Sequence, residues 1–168
     1  ELSVIIDGKS SEPLAVALSV EDSGGVKVAS FDRIIPEIDG MITEKFRIPQ
    51  DTLGCWTVDN KCLYTAKTTV IAGGVPDKFE KKFGVYGDNS EDSENNASKL
   101  PDAGAIRPAH HPPYGAAIPW WAMKKDIESA KDIGLRLLWA NPMPFHPSFI
   151  ALCDELGMRI IQELPLKD

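Results

Sequence analysis

A chain of 168 residues with 43% apolar and 8% aromatic content can bury a substantial core, as one large domain or two small ones. Its 18 basic and 25 acidic residues leave a formal charge of −7 and no basic stripe to follow a phosphate backbone, which argues against nucleic acid as a partner. No window approaches the roughly 18 apolar residues of a membrane span and no signal sequence opens the chain, so a membrane partner is not expected.

Glu1 leads directly into Leu2, Val4 and Ile6, which alternate as a strand does. The chain is therefore expected to start inside a larger protein, with any export signal upstream or removed. From Leu2 to about Tyr86 the pattern keeps period two: Leu14, Val16, Leu18 and Val20 share a face, and later runs cover Val26 to Ala29, Met41 to Ile48 and Leu63 to Ile71. Turn chemistry separates the runs at Asp7-Gly8, Ser23-Gly24-Gly25, Asp39-Gly40, Asp59-Asn60 and Gly73-Gly74. Residues 1–87 are predicted to form an antiparallel β-sandwich of about seven short strands, with Pro13 and Pro49 marking edge strands.

Across 88–105 the composition turns to Asp, Ser, Glu, Asn, Lys and Pro, too few apolar groups to offset the entropy of ordering a chain. It is predicted to be a polar, flexible connector; the alternative is an acidic patch for a metal or a basic partner. Asn96-Ala97-Ser98 matches a glycosylation sequon, a motif short enough to arise by chance.

In residues 106–168 the period changes. Met123, Ile127 and Ala130 fall at i, i+4 and i+7, Pro119 suits a first helical turn and Gly134 a left-handed stop, which predicts a helix over 119–133. Leu135, Leu137, Leu138, Trp139 and Ala140 form an apolar run fit for a strand over 135–140. The pattern repeats with a helix over 147–156, opened by Pro147 and closed by Gly157, and a strand over 158–163. Strands that each follow a helix imply right-handed crossovers in a parallel sheet, whose carboxyl ends would present Asn141 and Gln162-Glu163. The plainer alternative makes Asn141-Pro142 a turn and Glu163 a solvated carboxylate.

Ahead of the first helix, Arg107, His110, His111 and Tyr114 gather in one proline-rich loop. Such a group can bind sugar hydroxyls, or ligate a metal given a third ligand; it can equally be a stiffened connection whose histidines pack locally. Trp120, Trp121 and Trp139 can stack on sugar faces, although indoles in such places more often belong to a core. The three cysteines fit no zinc spacing: Cys55 and Cys62 flank a probable turn and either bridge or stay thiols, and Cys153 falls on an apolar helix face. The compartment stays open, with a secreted or periplasmic location slightly favoured. No nucleophile elbow, phosphate loop, dinucleotide fingerprint or H-E-x-x-H is present, and neither a cofactor nor a metal is expected.

Several ordered motifs resemble glycoside hydrolase family 2, the family of β-galactosidases, β-glucuronidases and β-mannosidases. Met123-Lys124-Lys125-Asp126-Ile127, Gly134-Leu135, Pro147-Ser148-Phe149, Leu152-Cys153-Asp154-Glu155-Leu156-Gly157 and Gln162-Glu163 are similar to the family's run from the first barrel helix to the third strand. His110-His111-Pro112-Pro113-Tyr114-Gly115 resembles its H-x-P-x-Y/H-G loop. Upstream, Trp56, Asn60, Leu63 and Tyr64 resemble its W-x-x-x-N-x-x-L-Y segment, and Phe83-Gly84-Val85 its F-G-F/I-R. The chain departs from the pattern at Trp139-Ala140-Asn141-Pro142-Met143-Pro144, where the family has R-x-S-H-Y-P, and at Pro108-Ala109, which follow Arg107 in place of the last two residues of R-H-E.

The resemblance implies an immunoglobulin-like sandwich followed by the first part of a TIM (β/α)₈ barrel. It also implies that the two carboxylates the family uses, one general acid/base and one nucleophile, lie on later barrel strands. The chain is thus expected to be an internal fragment of a β-glycosidase, inactive alone and without a catalytic residue of its own. Arg107, His111, Asn141 and Glu163 are its candidate substrate-binding residues, and Glu163 matches a family carboxylate near the sugar or a bound ion. The expected partners are a β-glycoside and the remainder of the parent enzyme, with self-association through open strand edges. The alternative is a degenerate, non-catalytic carbohydrate-binding or scaffolding module.

Overall fold

The computed structural model describes residues 1–85, 104–108, 111–141 and 143–163, without the side chains of Gln50, Arg107, Pro108 and Asn141. The protein is mostly β and divides into two compact units, Glu1–Cys55 with Cys62–Val85, and Trp56–Lys61 with Tyr86–Asp168.

The first unit contains β1 (Leu2–Ser10), β2 (Leu14–Glu21), β3 (Lys27–Ile35), β4 (Ile38–Phe46), β5 (Leu63–Ala72) and β6 (Val75–Gly84). These six strands form an antiparallel pair, β1-β4, and an antiparallel four-stranded sheet, β3-β2-β5-β6. Alternation decides which face is buried: Leu14, Val16, Leu18 and Val20 are buried, while the residues between them lie nearer the surface. Ile38 and Phe46 of β4 share a cluster with Leu14, Val16, Leu18 and Ile35, and Leu2, Val4 and Ile6 of β1 pack against it, so the two sheets close on one core.

Turn chemistry explains two of the connections. The Asp22 carboxylate accepts from the backbone N–H groups of Gly24 and Val26, each at 2.9 Å, and closes the β2–β3 turn. Gly73 and Gly74, with φ of 53° and 79°, make a two-residue hairpin loop between the paired residues Ala72 and Val75. The Asp7-Gly8 and Asp39-Gly40 signals, by contrast, do not make turns. Both lie within strands, and Gly8 pairs directly with Gly40 in a ladder that runs unbroken from Leu2↔Phe46 to Ser10↔Ile38. The alternation of Leu2, Val4 and Ile6 against Ile42 and Phe46 fixes that register, and burial along it outweighs the local turn preference.

The second unit contains β7 (Gly104–Pro108), α1 (Trp120–Asp132), β8 (Leu137–Asn141), α2 (Pro147–Leu156) and β9 (Arg159–Gln162). The predicted pieces are present with ends shifted by a residue or two, and β7 begins inside the stretch expected to be connector; residues 88–103 lie outside the described set. The strands are parallel in the order β7-β8-β9. Ala122, Met123, Ile127 and Ala130 of α1, and Phe149 and Cys153 of α2, are buried with Leu138 and Ala140 of β8. Gly134 (φ 86°) closes α1 and donates to Lys131 O at 2.8 Å, while Leu135 donates to Ala130 O at 2.9 Å. His146 caps α2, its Nδ1 accepting from Ser148 N at 3.2 Å, with Pro147 in the first turn.

The far end of α2 is finished by residues distant in sequence. Trp56 Nε1 donates to Asp154 O at 2.9 Å, and Lys131 Nζ donates to Leu156 O, so two carbonyls left over by the last helical turn find partners. Thr57 and Asn60 close a tight turn, with Thr57 N donating to Asn60 O at 2.7 Å and Asn60 N to Thr57 Oγ1 at 2.8 Å. Asp59 in that turn meets Arg136 at 3.2 Å. At Gly157, a Cβ would lie 2.3 Å from Val58 O, and φ is 73°. Gly157→Ala therefore meets both a clash and a left-handed backbone, and we expect a loss of about 2 kcal/mol in denaturant unfolding. An unchanged midpoint would show that the Val58 approach is not made in solution.

In the same turn the Asp154 carboxyl is held above its ordinary value of 3.8, first by desolvation and then by Glu155. The folded chain thus holds this proton more tightly than the unfolded one, so ionised Asp154 subtracts stability once pH rises above 3.8 and has no such effect below it. Asp154→Asn should raise stability at neutral pH by about 0.5 kcal/mol, by removing an anion from a helix C-terminus. The gain should fade in urea titrations as pH falls towards 3.8, and a gain that grows with acidity would contradict this assignment.

Candidate strand-end site

Two strand–helix–strand units in succession bring the carboxyl ends of β7, β8 and β9 to one rim, the place where open parallel sheets bind ligands. Register sorts the residues there by face. Ala105, Leu138 and Ile160 pair across the sheet and pack against the helices, whereas Ile106, Trp139 and Ile161 form the next row on the other face. Ile106 is 64% exposed and Trp139 38%, so no helix among the described residues covers that face. Glu163, two residues after Ile161, alternates to the same uncovered face; it is half-buried, and its N–H reaches Ala140 O at 3.5 Å.

The four predicted site residues do not all fall together. Asn141 ends β8, paired with Pro108, one step beyond the Ala140↔Gln162 pair and level with Glu163. Arg107 pairs with Ala140, a residue of the helix-side cluster, and so stands one row away from Glu163. His111 lies in the loop after β7 with both ring nitrogens engaged: Nε2 is 3.3 Å from Asp126 Oδ1 on α1, and Nδ1 is 2.7 Å from Pro112 O. It also exchanges backbone contacts with Gly115, donating to Gly115 O at 2.9 Å. Its ring stacks on Tyr114 at 5.9 Å, and Tyr114 meets Trp121 edge-on at 5.6 Å. These contacts fasten the loop to α1. His110 lies outside the described residues.

Two contributors were not evident from sequence. Asp126 is His111's partner, which no local spacing announces. Gln162 Oε1 accepts from Phe145 N at 2.8 Å and ties the β8–α2 loop to the end of β9. Among the described residues no group of three or more His, Cys, Asp or Glu could hold a metal ion, and no disulfide joins Cys55, Cys62 and Cys153. No helix described is long and apolar enough to cross a membrane.

A cleft of about 640 Å³ opens in the first unit, lined among others by Leu2, Val4, Ile6, Val70, Phe79 and Phe83. It arises because two strands face four: β6 is left uncovered, with Phe79 65% exposed. Its floor is mainly aliphatic and aromatic, so the strand-end rim, with the Glu163 carboxylate and a held imidazole, is the better candidate for a polar ligand.

No family model matches the chain. Curated relatives do. A β-galactosidase of Thermoanaerobacterium thermosulfurigenes is 30% identical over 115 residues, 66% of this chain and 16% of the relative. A putative β-glucuronidase of Formosa agariphila is 30% identical over 114 residues, 66% of this chain and 14% of the relative. The matched stretch therefore spans no more than about a sixth of the length of these relatives. Among solved structures, a glycosyl hydrolase family 2 member from Bacteroides cellulosilyticus superposes with a TM-score of 0.76 at 18% identity, over 96% of this chain and 23% of that one. A β-glucuronidase of Bacteroides uniformis gives 0.76 at 17% identity, over 98% and 21%. The chain is glycoside hydrolase family 2-like, as its motifs led us to expect.

Gln162 offers a direct check on the rim. Gln162→Ala should lower stability by about 1 kcal/mol and speed amide exchange at Phe145, while Gln162→Glu, which keeps an acceptor, should restore most of the protection. Equal exchange in all three proteins would mean that the Phe145 bond does not order the rim.

Proposed function

We propose that this chain is the central part of a family 2-like β-glycosidase: an immunoglobulin-like sandwich leading into the opening strands of a (β/α)₈ barrel. Its strand ends border one wall of a sugar site. The observation that carries this reading is the rim itself, three parallel strands ending together with Asn141 and Glu163 level, in a chain similar to β-galactosidases and β-glucuronidases.

The chemistry divides accordingly. Hydrolysis of a glycosidic bond needs a proton donor on the leaving oxygen and a second carboxylate at the anomeric carbon. Strands outside this chain supply both in our reading, and this chain contributes binding. Glu163 accepts hydrogen bonds from sugar hydroxyls, Asn141 and Arg107 belong to the same binding wall at the ends of β8 and β7, and His111 acts as a positioning residue through Asp126 and Tyr114. The remainder of the parent enzyme is then the chain's principal partner.

A degenerate carbohydrate-binding module is the second reading, favoured by one feature. Trp139 to Pro144 replace the arginine and histidine that the family usually carries after its second barrel strand.

Nitrophenyl β-glycosides mixed with the chain alone should show no turnover, and turnover abolished by Glu163→Gln would overturn the non-catalytic assignment. In calorimetric titration with galactose, mannose and glucuronate, binding on the order of millimolar should weaken about tenfold or more in Glu163→Gln. Micromolar binding by the chain alone would favour the module.

A further inference from the structure

We propose that Trp120 and Trp121, in the first turn of α1, form an aromatic platform that stacks on the face of a pyranose ring in a β-linked saccharide. The proposal rests on the strand-end reading above and extends it to a second point of contact. Indoles are among the side chains that most gain from burial, yet these two stay 65% and 50% exposed. The helix buries Ala122, Met123, Ile127 and Ala130 instead. At 100° per residue, Trp121 lies on the opposite side of the helix from that stripe.

The platform is held ready. Tyr114 presents its ring to Trp121 at 87° and 5.6 Å, His111 lies against Tyr114, and Asp126 with Pro112 O hold the imidazole. A surface fixed before binding loses little freedom when a ligand arrives. Its place follows from topology: a helix entered from a parallel strand begins at that strand's carboxyl end, so the first turn of α1 lies at the same end of the sheet as Glu163, on the face that the helices cover.

Three kinds of ligand commonly stack on exposed indoles, and charge and neighbours separate them. Nucleobases come with phosphates, which a chain of formal charge −7 repels. A protein partner needs apolar surface beyond the two rings, but the exposed residues that continue along α1 are Lys125, Glu128, Ser129 and Asp132. A pyranose presents a flat C–H face ringed by hydroxyls, and suits an isolated aromatic surface set among polar groups.

The test titrates the full chain with lactose and with methyl β-glucuronide, following tryptophan fluorescence and saturation transfer to the sugar C–H protons. Trp120→Ala, the double Trp120→Ala/Trp121→Ala, the double Trp120→Phe/Trp121→Phe and Glu163→Gln run in parallel. We expect the double alanine variant to weaken binding about tenfold and remove the fluorescence response, with Trp120→Ala intermediate and the phenylalanine pair near wild type. The exposure of Trp120 makes its single variant safe for folding, which circular dichroism verifies. Unchanged affinity in both alanine variants with loss in Glu163→Gln would overturn the platform and leave the strand-end site standing. Loss in the alanine variants with Glu163→Gln unaffected would support the platform and count against Glu163. Affinity unchanged in all variants, or no binding by wild type, would overturn both.

Discussion

Ile127 of α1, Ala140 of β8 and Cys153 of α2 have no exposed surface and belong to one cluster. The second unit depends on this packing. Both helices lie on the same face of the middle strand, and Ala140 is small enough to let them approach it. That choice of face leaves the row of Ile106, Trp139 and Ile161 bare and directs Glu163 to the bare side. A larger side chain at 140 would push the helices off the strand and disturb the rim two positions away.

The rim, in turn, is organised by contacts that hold loops rather than contacts that do chemistry. His111 spends its nitrogens on Asp126 and Pro112, and Gln162 spends its acceptor on Phe145. Such second-rank bonds set where strand-end groups stand, and in a site built from several loops that placement decides what can bind. The first unit shows the opposite economy: a four-stranded sheet with only a two-stranded partner, and apolar side chains on β6 that nothing described covers.

Much of this was legible in the sequence, for physical reasons that differ by region. In the second unit Pro147, Gly134 and Gly157 punctuate the chain where backbone geometry demands those residues, and α2 runs over the predicted span, Pro147–Leu156. Around Gly8 and Gly40 the same punctuation misled, because two glycines facing each other across a ladder look locally like two turns. Trp120 and Trp121, read from the sequence as more often core, are instead exposed, because α1 turns Ala122, Met123, Ile127 and Ala130 inward. That Asn141 and Glu163 stand at the ends of parallel strands could be read from the helix-glycine-strand pattern alone. The partner of His111 could not, since Asp126 lies on another element and meets it only when loop and helix fold together. The grouping of Trp56–Lys61 with the helices was equally hidden: six residues flanked by strands of the first unit belong, by their contacts, to the second.

That last arrangement has a genetic consequence. The second unit is discontinuous in the gene, so no single pair of cut points retrieves it whole. Any excised piece starting after residue 85 discards Trp56, Val58 and Asp59, and with them the donor to Asp154 O, the backbone that Gly157 is shaped around and the counter-charge of Arg136. Recombination that shuffles this segment between relatives must therefore carry two patches of sequence together, and a breakpoint between them would yield a chimaera with a frayed α2.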